Sequence, residues 1–159
     1  MASSPALQDH YPESASHCYG CGRMNKNGMQ LKSRWEGDEM VARFHPRPEH
    51  LAFPGFVYGG LLASLIDCHA MATASATAER IAGRDIGAAP APRYVTAALK
   101  VDYLKPTPLG PELVIRAQVA ETGRRKMVVR IAVVADGVET ARGEVVALPM
   151  PETMAATTS

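Results

Sequence analysis

The segment from Gly59 to Ala82 constrains the fold of this chain more than any other part of the sequence. It predicts one long helix that begins at two glycines and ends before Gly83, because glycine is a favoured residue just after a helix end. Large apolar side chains point to most sides of this helix, namely Leu61, Leu62, Leu65, Ile66, Met71 and Ile81. A helix that is apolar nearly all round is buried by other elements. The rest of the chain must therefore enclose it.

The segments predicted to enclose the helix are strands. Residues 29–44 contain two short runs around a turn, and four longer runs cover 93–106, 113–121, 127–135 and 138–149. Asp136–Gly137, between the last two runs, predicts a tight hairpin. One helix followed by consecutive strands predicts an α+β fold, in which a curved antiparallel sheet wraps the helix. The outer strands of a single sheet need cover, so we expect a dimer that continues the sheet.

The length and the net charge of the chain limit how many domains it can form and which partners it can bind. The 159 residues suit one domain at 18–150, with a flexible N-terminal arm at 1–17 and a disordered tail at 151–159. The net charge of +1, from 17 basic and 16 acidic residues, favours neither nucleic acid nor a membrane as a partner. No signal peptide is evident, and three cysteines in such a chain favour a reducing cytoplasm.

One acidic residue stands out in the apolar helix. Asp67 follows Gly60 by seven residues, about two helical turns, and therefore projects from much the same side as the helix start. Backbone N–H groups at a helix start lack partners, and glycines let a substrate carbonyl approach them. Asp67 then serves as a general base or a nucleophile. The structural alternatives are an Asp67 that pairs with an arginine or caps a neighbouring strand, and glycines that only permit close packing.

The cysteines give a weaker signal. Cys18 and Cys21 form a Cys-x-x-Cys pair, which supplies two ligands where a structural zinc site uses four. Cys68 and His69 lie far along the chain on the helix, so we expect small thiols in a glycine-rich turn and no metal site. His69 points to another helix face than Asp67 and is interpreted as a core or interface histidine.

Three stretches carry a resemblance to a known family. These are HCYGCGRMNKNGMQLK at 17–32, FPGFVYGGLLASLID at 53–67 and YVTAALKVDYLKPTPLG at 94–110. Together they resemble the hotdog-fold acyl-CoA thioesterases of the PaaI-like and THEM4-like type. The resemblance covers roughly residues 17–148, and its most specific part is the acid seven residues after the second glycine. It implies the hotdog fold and a homodimer or homotetramer.

The resemblance also implies roles for single residues. The family's catalytic acid corresponds to Asp67, its oxyanion-binding glycine to Gly60, and a strand threonine or serine to Thr96. The family histidine before the glycines is Tyr58 here, which can still position the loop but is a poor proton shuttle near pH 7. Alternation along the strand places Thr96 opposite Val95, Ala97 and Leu99. A role for it would then belong to the site of the partner subunit.

The substrate contacts are predicted more coarsely. Gly59 and Ser64 lie beside the reacting groups, and Lys105 is a candidate for the CoA phosphates together with Arg93, Arg124 and Arg125. The predicted function is hydrolysis of an acyl-CoA thioester to a free acid and CoA, with no cofactor other than CoA as part of the substrate. The alternatives are a non-catalytic acyl-CoA or lipid-binding module and, outside hydrolysis, a hotdog hydratase or dehydratase.

Overall fold

The computed structural model describes residues 3–155 and contains one long helix and one sheet. In chain order the elements are β1 (Ser33–Glu36), β2 (Glu39–Phe44), α1 (Gly59–Ile81), β3 (Tyr94–Tyr103), β4 (Leu113–Thr122), β5 (Met127–Ala135), β6 (Val138–Pro149) and α2 (Glu152–Ala155). Two short 3-10 turns, Leu7–His10 and Glu13–Ala15, precede them. No helix in the described part of the chain is long and apolar enough to cross a membrane.

The sheet has six antiparallel strands in the order β1-β2-β4-β5-β6-β3. The predicted hairpin at Asp136–Gly137 is confirmed, and both residues have positive φ, 48° and 75°. The predicted helix end is also confirmed: Gly83 has φ +73°, and the N–H of Arg84 bonds the carbonyl of Glu79 at 2.9 Å. The predicted α+β architecture, a curved sheet around one helix, is therefore correct.

Helix α1 packs on one face of the sheet and forms the core with it. The sheet residues that meet it are apolar and almost fully buried, among them Ile115, Ile131, Val133, Val145 and Ala147. Gly143 in β6 lets the helix come close. A methyl group there would lie 2.5 Å from Cγ2 of Ile66, well inside contact distance.

The N-terminal segment differs from the predicted flexible arm. Leu7 and Gln8 are 0% exposed and Tyr11 is 4% exposed. The Gln8 side chain accepts from the N–H of Ser33 at 2.8 Å and donates to its hydroxyl at 3.0 Å. Apolar burial and these buried hydrogen bonds hold the segment from Ala6 to Tyr11 against the start of β1. In the predicted tail, Glu152–Ala155 forms one helical turn, and residues 156–159 lie outside the described range.

His69 was interpreted from the sequence as a core or interface histidine, and in the structure it lies in the core. It is 0% exposed; its Nε2–H donates to the carbonyl of Met40 at 3.0 Å, and its Nδ1 accepts from the hydroxyl of Ser33 at 2.8 Å. Because a carbonyl only accepts, this pairing selects the neutral Nε2–H tautomer. Burial lowers the pKa of His69 to about 4.

Strand β3 is an edge strand, and both of its faces are largely exposed. Leu99 is 41% and Tyr103 is 55% exposed, although both lie on the side of the sheet that carries the helix. Ten residues of unpaired backbone edge with apolar side chains are unusual for a strand that faces only water.

Candidate active site

Asp67 and Thr96 meet between α1 and β3. The Thr96 hydroxyl donates a hydrogen bond to Oδ1 of Asp67, which is half-buried on the helix. Among the described residues no ion pair involves Asp67. The structural alternative of an Asp67 paired with an arginine therefore finds no support, and its second oxygen has no hydrogen-bond partner among the described side chains.

A β-bulge explains why Thr96 faces the helix. The pairing of β3 with β6 shifts between Thr96 and Ala98, so that Thr96 lies opposite Ala147 and Leu99 lies opposite Val145. Both partners are buried under the helix, which places Thr96 and Leu99 on the same face. The prediction that simple alternation puts Thr96 on the face opposite Leu99 is wrong, because one extra residue in the bulge resets the period of two.

The start of α1 presents backbone donors. Tyr58 is its N-cap residue and makes no capping hydrogen bond with its side chain, while the carbonyl of Tyr58 accepts from the N–H of Leu61 at 3.2 Å. The amides of Gly59 and Gly60 lie at the first helical positions, where a helix offers no acceptor of its own. They also lie at the positive end of the helix dipole. Gly60 is exposed, so an external oxygen can reach this end of the helix.

Tyr58 packs over Gly60. A Cβ on Gly60 would lie 2.6 Å from Cε2 of the Tyr58 ring, so no larger residue fits unless the ring moves. The Tyr58 side chain is 41% exposed and its backbone N–H bonds the carbonyl of His50 at 3.1 Å. The ring is thus positioned to shape the approach to the helix start, which is the positioning role that its replacement of the family histidine left open.

Tyr103, at the end of β3, contacts the start of α1, and it was not singled out from the sequence. Its hydroxyl donates to the carbonyl of Gly59 at 2.8 Å, and the ring lies 3.1 Å from where a Cβ of Gly59 would be. It therefore holds the first peptide of the helix. The position of Tyr103 at the end of a long strand was visible in the sequence, but only the tertiary structure shows that this end of the strand meets the start of the helix.

An open depression of about 540 Å³ lies beside the start of α1. Its lining includes Gly59, Gly60, Tyr103, Lys105 and Thr107. The structure thus brings Lys105 to the helix start, and its role in phosphate binding stays a prediction. Ser64 is nearby on α1, but its hydroxyl donates to the carbonyl of Gly60 at 2.9 Å within the helix. Arg93, another candidate, stacks over the ring of Tyr11 at 4.1 Å.

A second depression lies on the opposite, outer face of the sheet and is lined by charged side chains. Three pairs account for most of these charges: Arg116 with Glu39 at 2.8 Å, Arg130 with Glu144 at 3.4 Å, and Arg142 with Glu139 at 3.0 Å. Exposed and mutually paired charges of this kind are typical of a solvated surface. The chemistry is better placed at the helix start and Asp67.

The three cysteines come together, contrary to the sequence-based expectation. The Sγ atoms of Cys18, Cys21 and Cys68 all lie within 4.8 Å of one another. The thiols of Cys21 and Cys68 and the amides of Cys21 and Gly20 hold the pKa of Cys18 below its ordinary value. His69 does not join them, since it is engaged with Ser33 and Met40. The expectation that Cys68 stays apart from the Cys-x-x-Cys turn is therefore wrong.

Comparisons with known proteins agree with this architecture. Residues 54–148, more than half of the chain, match the family model described as the Thioesterase superfamily. The chain is 48% identical to a solved Thioesterase superfamily protein from Shewanella loihica PV-4, over 87% of this chain and 97% of that one, with a TM-score of 0.67. At this identity and coverage the hotdog fold implied by the sequence resemblance is confirmed.

Two further proteins are similar over part of their length or at lower identity. The acyl-coenzyme A thioesterase THEM4 of Xenopus laevis is 35% identical over 88 residues, which are 55% of this chain and 34% of that protein. This chain thus matches about a third of the length of that relative. A structure from Streptococcus mutans UA159, solved bound to acetyl CoA, is 20% identical over 76% of this chain and 88% of that one, with a TM-score of 0.59, and shows the shared fold.

Proposed function

This chain belongs to the thioesterase superfamily, and we propose that it hydrolyses the thioester of an acyl-CoA to a free acid and CoA. The observation that carries the proposal is Asp67, a carboxylate in the largely apolar first half of α1, held by Thr96 and free of cationic partners among the described residues. A carboxylate in such surroundings costs stability, and catalysis is the reason to keep it. The thioesterase relative and the neighbour bound to acetyl CoA support the substrate class.

Gly60, Asp67 and Thr96 have separate roles in the proposed reaction. The thioester carbonyl oxygen accepts from the Gly60 N–H, which stabilises the oxyanion by about 3 kcal/mol. In the first route, Asp67 removes a proton from a water molecule while the water oxygen attacks the carbonyl carbon. In the second route, the Asp67 carboxylate attacks that carbon itself and forms a mixed anhydride, which water then hydrolyses. In both routes the C–S bond breaks, CoA leaves as a thiolate and is then protonated. Thr96 positions Asp67 by its hydrogen bond.

The distance along the helix favours a site shared by two copies of the chain. Gly60 and Asp67 are separated by seven residues, about 10 Å of helix axis at 1.5 Å per residue. A carbonyl bonded to Gly60 would leave its carbon far from the Asp67 of the same helix. We place the Gly60 of one copy opposite the Asp67 of the other, with the acyl group between helix and sheet.

The exposed β3 edge supports this assembly as a homodimer. Its backbone edge is unpaired, and Leu99 and Tyr103 are exposed on the helix-bearing side, close to the groups of the proposed site. A second copy that adds its own β3 would satisfy the backbone and bury these side chains. Tyr58 and Lys105 would then border the entrance, where Lys105 meets a CoA phosphate.

Release of CoA thiol tests the proposal. Wild type and Asp67→Ala are assayed with a chromogenic thiol reagent on short, medium, long and aromatic acyl-CoAs, with a substrate-free blank because Cys18 is exposed and reacts too. Loss of a general base costs 10²- to 10⁴-fold, so we expect Asp67→Ala to be inactive. The matched control is Asp38→Asn, which alters an exposed carboxylate in the β1–β2 turn.

The outcomes separate the candidate functions. Turnover that Asp67→Ala abolishes and Asp38→Asn keeps supports the thioesterase and names its acyl class. Turnover that persists in Asp67→Ala refutes the role of Asp67. A folded wild type that binds acyl-CoAs without releasing thiol points to the binding module, for which Tyr58 in place of the family histidine is the favouring observation.

A further inference from the structure

The cysteine cluster has no part in the proposed hydrolysis. Cys18 and Cys21 come from the loop before β1, and Cys68 comes from the middle of α1, so the cluster joins two segments that are far apart in sequence. Cys18 is exposed, and Cys21 and Cys68 are buried. A free buried cysteine normally packs as a small apolar side chain, whereas the sulfurs of these three converge on one point.

The spacing of the sulfurs fits metal ligands better than a disulfide. The Sγ atoms of Cys18 and Cys68 are 3.7 Å apart. Sulfurs in a disulfide are bonded at about 2.05 Å. Ligands on a tetrahedral zinc ion, each at about 2.3 Å, lie about 3.8 Å from one another. The third sulfur lies within 4.8 Å of both, which leaves a site for one ion between them.

The loop backbone is shaped around the cluster. A Cβ on Gly20 would lie 2.3 Å from Sγ of Cys68, and a Cβ on Gly22 would lie 2.5 Å from the backbone N of Cys18. Both glycines are therefore required for the turn to close on the helix. The turn is fixed from outside by two hydrogen bonds, from the N–H of Met29 to the carbonyl of Tyr19 at 2.8 Å and from the N–H of Leu31 to the carbonyl of Gly20 at 3.0 Å.

The cluster offers sulfur ligands alone. No carboxylate or imidazole of the described residues joins the group of three.

We propose that Cys18, Cys21 and Cys68 bind one thiophilic divalent cation, of which Zn²⁺ is the representative, with the fourth position open to water beside the exposed Cys18. The ion ties the N-terminal loop to α1 at the residue next to Asp67. Its role is to hold the helical turn that carries Asp67, and it takes no part in the reaction. The inference stands on the cysteine geometry and does not rest on the proposed hydrolysis.

The test begins with the wild-type protein. It is expressed with zinc in the medium, purified under reducing conditions without chelators, and analysed for metal by mass spectrometry. We expect one zinc per chain, and X-ray absorption of this sample should show three sulfurs at about 2.3 Å and one oxygen. Cobalt added to the metal-free protein should give thiolate-to-metal charge-transfer and tetrahedral visible bands, which zinc then removes.

Variants assign the ligands. Cys18→Ser, Cys21→Ser and Cys68→Ser should each lose stoichiometric zinc, with circular dichroism to check that the fold remains. His17→Ala, an exposed change next to Cys18, should keep it. A wild type with neither zinc nor cobalt bands would overturn the proposal, and so would a wild-type mass lower by two hydrogens, which indicates a disulfide. Loss of zinc in His17→Ala would overturn the open fourth position.

Discussion

Replacing Thr96 with valine tests whether the hydroxyl positions Asp67. Valine keeps the shape of threonine but removes the donor to Oδ1 of Asp67. A hydrogen bond to a charged group is worth about 1.5–3 kcal/mol, and we take the lower end because the pair is partly exposed to water. About 1.5 kcal/mol corresponds to roughly a tenfold lower kcat/KM.

The assay separates positioning from binding and from folding. Thiol release is measured over a range of substrate concentrations, and we expect kcat to fall while KM stays the same, since Thr96 contacts Asp67 and not the acyl group. The free energy of unfolding should fall by no more than about 1.5 kcal/mol, because valine removes this same hydrogen bond from the folded chain. Thr96→Ser, which keeps the hydroxyl, is the matched control and should retain most of the activity. Wild-type kcat in Thr96→Val, or an equal loss in Thr96→Ser, would refute this role.

Two further predictions concern the core behind the site. Burial lowers the pKa of His69 to about 4, against 6.5 for the free side chain. Between these two pH values the unfolded chain binds a proton at this histidine and the folded chain does not. The free energy of unfolding should therefore fall by about 2 kcal/mol from pH 7 to pH 4.5. Urea unfolding at both pH values measures this, and an equal slope with pH in His69→Gln would contradict it. Gly143→Ala places a methyl group 2.5 Å from Cγ2 of Ile66, which should cost about 1–3 kcal/mol and lower the Tm by several degrees. Scanning calorimetry measures this, and an unchanged Tm would show that the helix yields freely.

The enclosing architecture was readable from the chain because local patterns carry it. The segment from Leu61 to Ala76 consists mostly of apolar residues and alanines and offers little polar surface to water, so a wrapped helix is the arrangement compatible with it. The tight turn at Asp136–Gly137 and the helix end at Gly83 follow from the positive φ angles that these residues tolerate. Asp67 stood out for the same local reason, as a carboxylate in an apolar segment.

Other features depend on contacts that no local pattern shows. The bulge at Thr96–Ala98 reverses the face of Thr96, and a period of two cannot reveal where one residue is added. Tyr103 reaches Gly59 across 44 residues of sequence, and Cys68 reaches Cys18 across 50. The burial of Leu7 and Tyr11 likewise needs the surface that β1 and the helix create together.

The sequence by itself determined the wrapped helix and the order of strands along the chain, and it singled out Asp67 as the candidate acid, since each follows from the residue types within a few turns or strand steps. Only the tertiary structure decided which side of β3 holds the threonine, what anchors the first peptide of the helix and that three thiols converge. These depend on how separate segments pack, and the free energy that selects one packing comes from surfaces that do not exist until the chain has folded.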